Sequence, residues 1–256
     1  MAILSFNNVI SYGALTTSWI NQTGENNATI LNALNGFEIE LTAIGLSKFY
    51  YLYPFVGGTS IKNSYNFINT AIYQITWGGG VTHNSNGYQG NGSTGYGDTG
   101  FNPTTASVVK SDFGVTTYSR TSSISGNQCD TGVSNGPSQI LLVDLGQTRA
   151  PASFHTSGFN FLDAGTRVGM QTIIRDGTNS QIFYKNGVAT NTNSSSATSD
   201  INLNIFIAAR NSSGSPSLYS SKNIALQVSH KALSPADMVS LNTANTNFQT
   251  ALNRFL

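Results

Sequence analysis

The chain has 256 residues, of which 39% are hydrophobic and 11% aromatic, so it carries enough apolar surface for a folded core. Only 9% of its residues are charged, against roughly 25% in an average soluble domain, while 29 are asparagine. Because the formal net charge is +1 and no basic run occurs, the sequence excludes electrostatic capture of nucleic acid or of an anionic membrane.

Cys129 is the single cysteine, so the sequence excludes an intramolecular disulfide and lacks the cysteine spacings of metal sites. The first twenty residues contain no Lys or Arg and no continuous apolar segment, and no stretch approaches 18 apolar residues. We therefore expect synthesis in a reducing cytoplasm, without a secretion signal or a membrane span.

Residues 1–26 mix isolated apolar side chains with Asn, Ser and Thr and end in a polar, Asn-rich stretch. No continuous apolar pattern assigns this segment to a domain of its own. Apolar side chains without a domain usually need a neighbouring surface to cover them. We interpret residues 1–26 as an arm for attachment or oligomerisation that is separate from the body.

A helix is predicted within residues 27–50. Its apolar positions follow a 4-3-4-3 spacing at Ile30, Leu34, Phe37, Leu41 and Ile44. Asn26 and Asn27 are candidate N-caps and Gly45 a candidate terminator. A stripe this short favours a helix that docks on the body over a coiled coil. Glu38 and Glu40 lie two positions apart and point to different sides, so we interpret them as solvated rather than catalytic.

From residue 71 onward, short apolar or alternating runs are separated by Gly, Asn, Ser and Pro, which predicts an antiparallel sandwich or barrel over residues 51–256. The predicted strands are AIYQITW (71–77), SVV (107–109), GVTTYS (114–119), SQILLVDL (138–145), ASFHT (152–156), VGMQTIIR (168–175), QIFY (181–184), NIFIAA (204–209) and IALQVS (224–229). Asn186-Gly187 predicts a hairpin over residues 181–190, because a type I′ turn needs two positive φ angles.

The segment 77–103 has nine glycines and one charged residue, Asp98. It contains no Lys, which excludes a phosphate-binding P-loop. Aromatic side chains recur among its glycines and argue against disorder. This composition predicts short strands and tight loops, with glycine where backbones turn or approach closely.

A second helix is predicted over residues 234–253. Ser234 is a candidate N-cap, Pro235 suits the first helical position and Asp237 can complete a capping box. Its predicted buried stripe comprises Leu241, Ala244, Phe248, Leu252 and Phe255.

No pattern of catalytic or metal-binding residues appears in the sequence. A carboxylate pair for glycoside hydrolysis is missing, and the aspartates mostly flank Gly, Asn, Ser or Thr, which is typical of turns and caps. His83, His155 and His230 lack metal-binding spacing, and Cys129 has no evident base. We therefore predict no catalytic residue, no metal and no cofactor, and that the protein is not an enzyme.

Sugar binding is the chemistry that the loop residues suit best, because sandwich lectins hold sugars with aromatic faces and with Asn, Asp and backbone donors. The same side chains also suit a core and its turns, and both interpretations stay open here. The candidate ligand-binding residues are Trp77, His83, Asn86, Tyr88, Asn91 and Tyr96.

Several segments together resemble structural proteins of tailed bacteriophages. They are FYYLYPFVGGTSIKNSYNF (49–67), ITWGGGVTHNSNGYQGNGSTGYGDTGFNP (75–103) and the segment 204–256. The matching positions are Tyr53, Pro54, Val56, Gly57, Gly58, Gly79, Gly80, Thr82, His83, Asn91, Gly92, Tyr96, Thr99, Asn102, Pro103, Phe248, Gln249, Leu252 and Arg254. The chain departs from the family in residues 1–26 and at Asn253, where the family usually has Gly.

The resemblance implies a mainly β fold: a concanavalin A-like (laminin G-like) jelly-roll β-sandwich with an N-terminal arm and helix and a C-terminal packing helix. It implies a virion component, as a fibre, tail or capsid-surface protein. The expected partners are other virion proteins through residues 1–26, further copies of the chain, and a host-surface glycan. The rival functions are a carbohydrate-binding lectin module, which is compatible with the first, and a glycoside hydrolase, which the missing acid pair disfavours.

Overall fold

The structure is a computed structural model that describes residues 11–122, 125–145, 148–155 and 165–256. The helices are α1 (Ala14–Thr23), α2 (Ala28–Ile44) and α3 (Pro235–Ala251), with 3-10 turns at Leu46–Lys48 and Lys62–Ser64. The strands are β1 (Phe49–Tyr53), β2 (Thr76–Gly78), β3 (Thr82–Asn84), β4 (Gly87–Gln89), β5 (Tyr96–Asp98), β6 (Phe113–Ser119), β7 (Gln128–Asn135), β8 (Ser138–Leu145), β9 (Thr148–His155), β10 (Gly169–Gly177), β11 (Ser180–Lys185), β12 (Val188–Asn193), β13 (Phe206–Ile207), β14 (Arg210–Ser212), β15 (Ser215–Ser217) and β16 (Asn223–His230).

The strands form two sheets that pack face to face. Sheet A has the order β12-β11-β10-β6-β16-β4-β3, and β1 also pairs with β16. Sheet B has the order β15-β14-β7-β13-β5-β2 and continues from β7 through β8 to β9. The pairings are antiparallel apart from the parallel pairing of β14 with β7. The prediction of a mainly β sandwich with helical segments before and after the strands is confirmed.

Strand β1 separates the two main cores, because successive side chains of a strand point to opposite faces. Tyr51 and Tyr53 face sheet B, within a core that includes Phe113, Ile173 and Ile207. Leu52 faces the helices, within a core that includes Leu34 and Phe248. The molecule is therefore layered as helices, sheet A and sheet B.

The two predicted helices are present with the predicted caps. The Asn27 side chain accepts hydrogen bonds from the N–H groups of Thr29 and Ile30, and Ser234 and Asp237 form the capping box of α3. Phe37 of α2 stacks on Phe248 of α3 with centroids 4.6 Å apart. The segment predicted as helical over 27–50 ends earlier, because Gly45 closes α2 and Phe49 begins β1.

Residues 14–23 pack on the body, which differs from the prediction of a separate arm. They form α1, whose Trp19 is fully buried in the core beneath the helices. The Glu38 carboxylate of α2 accepts the N–H groups of Leu15 and Thr16 at 2.9 Å each, so it caps α1. The interpretation of Glu38 as a solvated residue is therefore wrong. The attachment role of residues 1–26 stays a prediction, and residues 1–10 lie outside the described residues.

The strand predictions succeed where apolar runs are dense. The hairpin of β11 and β12 turns at Asn186 and Gly187, with φ angles of 49° and 79°, as a type I′ turn needs. Residues 107–109, predicted as a strand, instead lie at the end of a turn and are irregular. The Asn102 side chain accepts backbone hydrogen bonds from Thr104 and Thr105 and bends the chain directly before them.

Among the described residues, none of the helices combines the length and the apolar character that crossing a bilayer requires.

Candidate functional site

The glycine-rich segment 77–103 forms the strands β2 to β5 and their loops, as predicted. Strand β2 lies at one end of sheet B and β3 at one end of sheet A, so residues 79–81 connect the two sheets along one side of the sandwich. Gly79 has a φ of 68°, and a side chain there would collide with the Thr94 carbonyl group. Glycine is required at this crossing for both reasons.

Trp77 and His83 meet on this side of the molecule. Their ring centroids lie 4.6 Å apart in an edge-to-face arrangement. The Trp77 Nε1–H donates to the Ser60 carbonyl oxygen at 3.1 Å, and Asn63 Nδ2 lies 3.0 Å from His83 Nδ1. Burial lowers the pKa of His83, which is consistent with a neutral ring that accepts a hydrogen bond from Asn63.

Of the other predicted ligand-binding residues, Asn86 and Asn91 are exposed, Asn86 in the turn between β3 and β4, and Tyr88 contacts the Trp77 ring from within the core, with centroids 5.4 Å apart. Tyr88 is fully buried and packs at right angles on Phe55 at 4.8 Å. Tyr96 stacks on Phe206 at 5.0 Å. The Asn91 side chain accepts backbone hydrogen bonds from residues 93, 94 and 95 and shapes its own loop.

A cleft with a volume of about 470 Å³ lies beside the loop 56–62, which also carries the Ser60 carbonyl group that holds Trp77. Its lining combines apolar side chains with polar side chains and glycine backbone. The lining residues are Glu25, Asn27, Thr29, Ile30, Val56, Gly57, Gly58, Lys62, Ser85 and Leu252. They come from four separate segments of the chain, which the fold brings together. We call this cavity the Glu25–Lys62 cleft.

The two charges of the cleft neutralise each other. Lys62 Nζ lies 3.0 Å from Glu25 Oε2. Glu25 Oε1 accepts the N–H groups of Asn26 and Asn27 at 3.0 Å each. Burial opposes ionisation of Glu25, but the hydrogen bonds from Asn27, Lys62 and Asn26 outweigh it and lower the pKa of the carboxyl group. The cleft therefore contains a fixed, ionised carboxylate whose charge is balanced by Lys62.

Arg254 fixes the backbone of two segments that line the cleft. Its buried guanidinium donates to the carbonyl oxygens of Pro54 and Phe55 at 2.8 Å each, directly before the lining residues 56–58. It also donates to the carbonyl oxygen of Ser85, another lining residue, at 3.3 Å. Gln249 Oε1 accepts from Arg254 Nε at 2.5 Å. The resemblance had marked Arg254 and Gln249 but implied no role for either.

Sequence reasoning missed Glu25 and Lys62. Neither lies in a pattern with chemical meaning, and each is isolated among Asn, Ser and Thr. The available signal was the Gly57-Gly58 pair: both residues have positive φ, and a side chain on Gly57 would collide with Lys62 and Glu25. Glycine occurs both where φ is positive and where neighbouring groups approach the backbone closely, and Gly57 meets both conditions.

The aspartates that the sequence assigned mostly to turns include two that are buried in a charge network. Asp130 and Asp144 are fully buried, and Lys222 bonds to both, to Asp130 at 2.8 Å. Arg149 bonds to Asp130 at 2.9 Å, and Arg167 to Asp144 at 2.6 Å. The turn interpretation is wrong for these two, because pairing with cations allows them to be buried.

Neither Cys129 nor His230 shows an activated side chain. Cys129 is fully buried, and burial raises the pKa of its thiol. His230 is buried between Thr116 and the Lys231 carbonyl group. The side chain of His155 lies outside the described residues. Among the described residues, no group of three or more His, Cys, Asp or Glu side chains could hold a metal ion.

A second cavity, of about 310 Å³, lies between α3 with the residues that follow it and the strands of sheet A. Phe255, which belongs to the predicted buried stripe, is half exposed here because it lies beyond the end of α3, and it stacks on Tyr118 at 6.4 Å. The lining residues are Tyr118, Thr166, Val168, Gly169, Asn186, Asn242, Thr246, Phe255 and Leu256. This cavity provides a matched comparison for experiments on the Glu25–Lys62 cleft.

Comparison with known proteins connects the chain to solved structures alone, since no protein-family model and no curated protein matches it. It is similar to a mutant of Trypanosoma rangeli sialidase that displays trans-sialidase activity, with a TM-score of 0.59 and 12% identity over 86% of this chain and 38% of that chain. It is also similar to the binding domain of botulinum neurotoxin DC in complex with rat synaptotagmin II, with a TM-score of 0.56 and 11% identity over 78% of this chain and 52% of that chain.

Domain 4 of AbnA, an extracellular GH43 arabinanase from Geobacillus stearothermophilus, is similar over nearly its whole length and was solved in complex with arabinotriose. The TM-score is 0.50 and the identity 14%, over 76% of this chain and 98% of that chain. The chain thus spans 38% and 52% of the first two proteins but nearly all of this domain. At these identities the likeness is one of fold: the chain has a β-sandwich that also occurs in these three proteins.

Proposed function

We propose that the protein is a glycan-binding β-sandwich module and that the Glu25–Lys62 cleft is its binding site. The observation that carries the proposal is a cleft whose lining combines apolar side chains, polar side chains and a charge-balanced ion pair. A sugar ring presents an apolar C–H face and a belt of hydroxyl groups. Ile30, Val56 and Leu252 suit the former, while Asn27, Thr29 and Ser85 suit the latter.

The size and rigidity of the cleft support this proposal. Its volume of about 470 Å³ falls within the range of roughly 300–1,000 Å³ that is typical of small-molecule sites. The Arg254 hydrogen bonds hold the backbone of two lining segments in place before a ligand arrives, which lowers the entropic cost of binding. Domain 4 of the arabinanase, which shares the fold, was solved with arabinotriose. This complex makes arabinotriose a sensible first probe.

The test is binding of the purified chain to a glycan array, followed by titration calorimetry with arabinotriose and the best array ligands. Replacing Thr29 or Ser85 with Trp places a large indole ring in the cleft. The ring should exclude the ligand sterically and weaken binding at least about tenfold. Thr246→Trp, in the second cavity, is the matched control and should leave affinity unchanged. Loss of binding in Thr246→Trp alone would move the site to the second cavity, and no binding to any glycan would refute the proposal.

We also propose that the module binds without cleaving its ligand. Asp130 and Asp144 are buried and form ion pairs with Arg149 and Arg167. The cleft lining includes one carboxylate, Glu25, which is paired with Lys62. A retaining or inverting hydrolase uses two acid groups across the bond that it breaks. Incubation with an array-selected oligosaccharide, followed by chromatography, should return it intact. Release of shorter sugars that persists in a repurified sample would contradict this.

A role as a virion component that carries this module is the second candidate. It is supported by the resemblance to phage structural proteins, whose two most distant matching segments, the Tyr53–Gly58 turn and Arg254, are in direct contact through the Pro54 and Phe55 carbonyl groups. Mass spectrometry of particles purified from producing cells should then find the chain at a fixed copy number. Its absence from intact particles would reject this role and leave glycan binding untouched.

A further inference from the structure

We infer that Glu25 is a specificity-determining residue that restricts the cleft to uncharged saccharides and excludes those with a carboxylate, such as sialic or uronic acids. This inference rests on the proposed function, because it concerns the ligand of the same cleft. It follows from the position that the Glu25 carboxylate occupies.

The cleft has the components of an anion site. Asn27, Thr29 and Ile30 place the N-terminal turn of α2 beside the cleft, where the helix dipole contributes a partial positive charge and the Asn27 side chain accepts the N–H groups of Thr29 and Ile30. Lys62 adds an ammonium group to the same lining. Without Glu25, these groups would favour a negatively charged ligand.

Glu25 already fills the anion position. Its Oε1 accepts the N–H groups of Asn26 and Asn27, and its Oε2 bonds to Lys62, so both oxygens are engaged. The residue is 7% exposed, which makes it a fixed part of the wall. A ligand carboxylate would have to displace this group or lie beside it, and like charges in close contact cost several kcal/mol. An uncharged sugar meets no such penalty.

Gly57 allows the backbone to lie directly beside the Glu25–Lys62 ion pair. Its φ is 82°, and a side chain at this position would lie 2.9 Å from Glu25 Oε2 and closer still to the Lys62 side chain. The glycine therefore allows the ion pair to lie directly against the cleft wall. The pair is built into the site and is not a surface contact formed by chance.

The experiment compares matched ligands: neutral oligosaccharides on an array and the same structures with a terminal sialic acid or a uronic acid. The unmodified protein should bind the neutral member at least about tenfold more tightly. Glu25→Gln keeps the shape and the amide contacts but leaves Lys62 unbalanced. It should raise affinity for the acidic member about tenfold, and this gain should shrink at high salt.

Two further variants complete the test. Asp200→Asn removes a negative charge from the exposed Lys110–Asp200 pair, which does not line the cleft, and should leave the neutral-to-acidic ratio unchanged. Lys62→Met leaves Glu25 without its cation and should increase the ratio of neutral-glycan to acidic-glycan affinity. This variant gives an independent result if Glu25→Gln does not fold. Melting temperatures measured in parallel separate folding from binding.

The outcomes distinguish this inference from the proposed function. Preference of the unmodified protein for acidic glycans, or an unchanged ratio in a folded Glu25→Gln variant, would overturn the inference while glycan binding stands. Binding to no glycan of either kind would remove the proposed function itself.

Discussion

Arg254 illustrates how a single residue organises the region around the cleft. Among the described residues it has no carboxylate partner, and its charge is held by the carbonyl groups of Pro54, Phe55, Ser85 and Ala225. Burial, aided by the nearby Arg120, lowers its pKa to about 9, so the guanidinium is still charged at neutral pH. Its carbonyl partners lie 29 to 200 positions away along the chain. For that reason, local sequence patterns cannot reveal the role of Arg254.

Replacing Arg254 with Met should lower the free energy of unfolding by roughly 3–5 kcal/mol, because several buried carbonyl groups lose their donor at once. Denaturant titration followed by circular dichroism measures the change. Arg210→Met is the matched control: Arg210 is half exposed and bonds to Ser217, so its loss should cost less than about 1 kcal/mol. Equal effects of the two changes would contradict the assigned role.

His230 should make the protein acid-sensitive. Burial lowers its pKa from 6.5 to about 4, against weaker opposing effects of the Lys231 carbonyl group and Asp112. Between these values the unfolded chain binds a proton that the folded chain does not, so stability falls as pH drops from about 6.5 to 4. The loss should be about 3 kcal/mol. Stability curves of the protein and of His230→Gln should converge toward pH 4, and parallel curves would count against this assignment.

At the scale of elements, prediction succeeded where local chemistry decides the structure. The caps of α2 and α3 and the Asn186-Gly187 turn are local, and all are present. Strand β7 was missed because its sequence, QCDTGVSN, is polar and contains Asp130 and Gly132. Helix α1 was missed because Thr16 and Trp19 are its only buried residues, which is too few for a visible stripe. Tertiary contacts stabilise these two elements.

Replacing Trp19 with Ala should lower the free energy of unfolding by ~3–5 kcal/mol, because the largest side chain of α1 is fully buried in the core beneath the helices. Thermal unfolding followed by circular dichroism measures this. Ile39→Ala, at an exposed position of α2, should change stability by less than about 0.5 kcal/mol. An unchanged melting temperature in Trp19→Ala would contradict this contribution and would favour the interpretation of residues 14–23 as an arm separate from the body.

For the molecule as a whole, the low charge content has a specific distribution. Among the described residues nine charged side chains are buried, and several of them join structural layers. Lys222, directly before β16 of sheet A, bonds to Asp130 of β7 and Asp144 of β8 in sheet B. Composition alone indicated a neutral, amide-rich surface. It could not show that several of the few charged side chains are buried and form ion pairs in the interior. The cleft could not be predicted from the sequence either, because Glu25, Lys62 and Ser85 belong to three separate segments.

Lys222→Met should be strongly destabilising, by roughly 3–5 kcal/mol, because it leaves two buried carboxylates without their shared cation. Adding Asp130→Asn should recover part of the loss. Lys110→Met removes one partner of the exposed Lys110–Asp200 pair and should cost at most about 1 kcal/mol. Urea titrations of the three variants test this order, and a Lys222→Met protein as stable as Lys110→Met would refute it.

The hydrogen bonds of Arg254 also determine when the protein can finish folding during its synthesis. The donor to the Pro54 carbonyl group is synthesised 200 residues after Pro54. The partner strand of β1, which is β16, is also synthesised late. Until then, the nascent chain exposes one edge of its first strand and an unfinished turn beside the cleft. Such surfaces invite association between nascent chains. The region around the cleft is therefore expected to complete its folding only after Arg254 has left the ribosome.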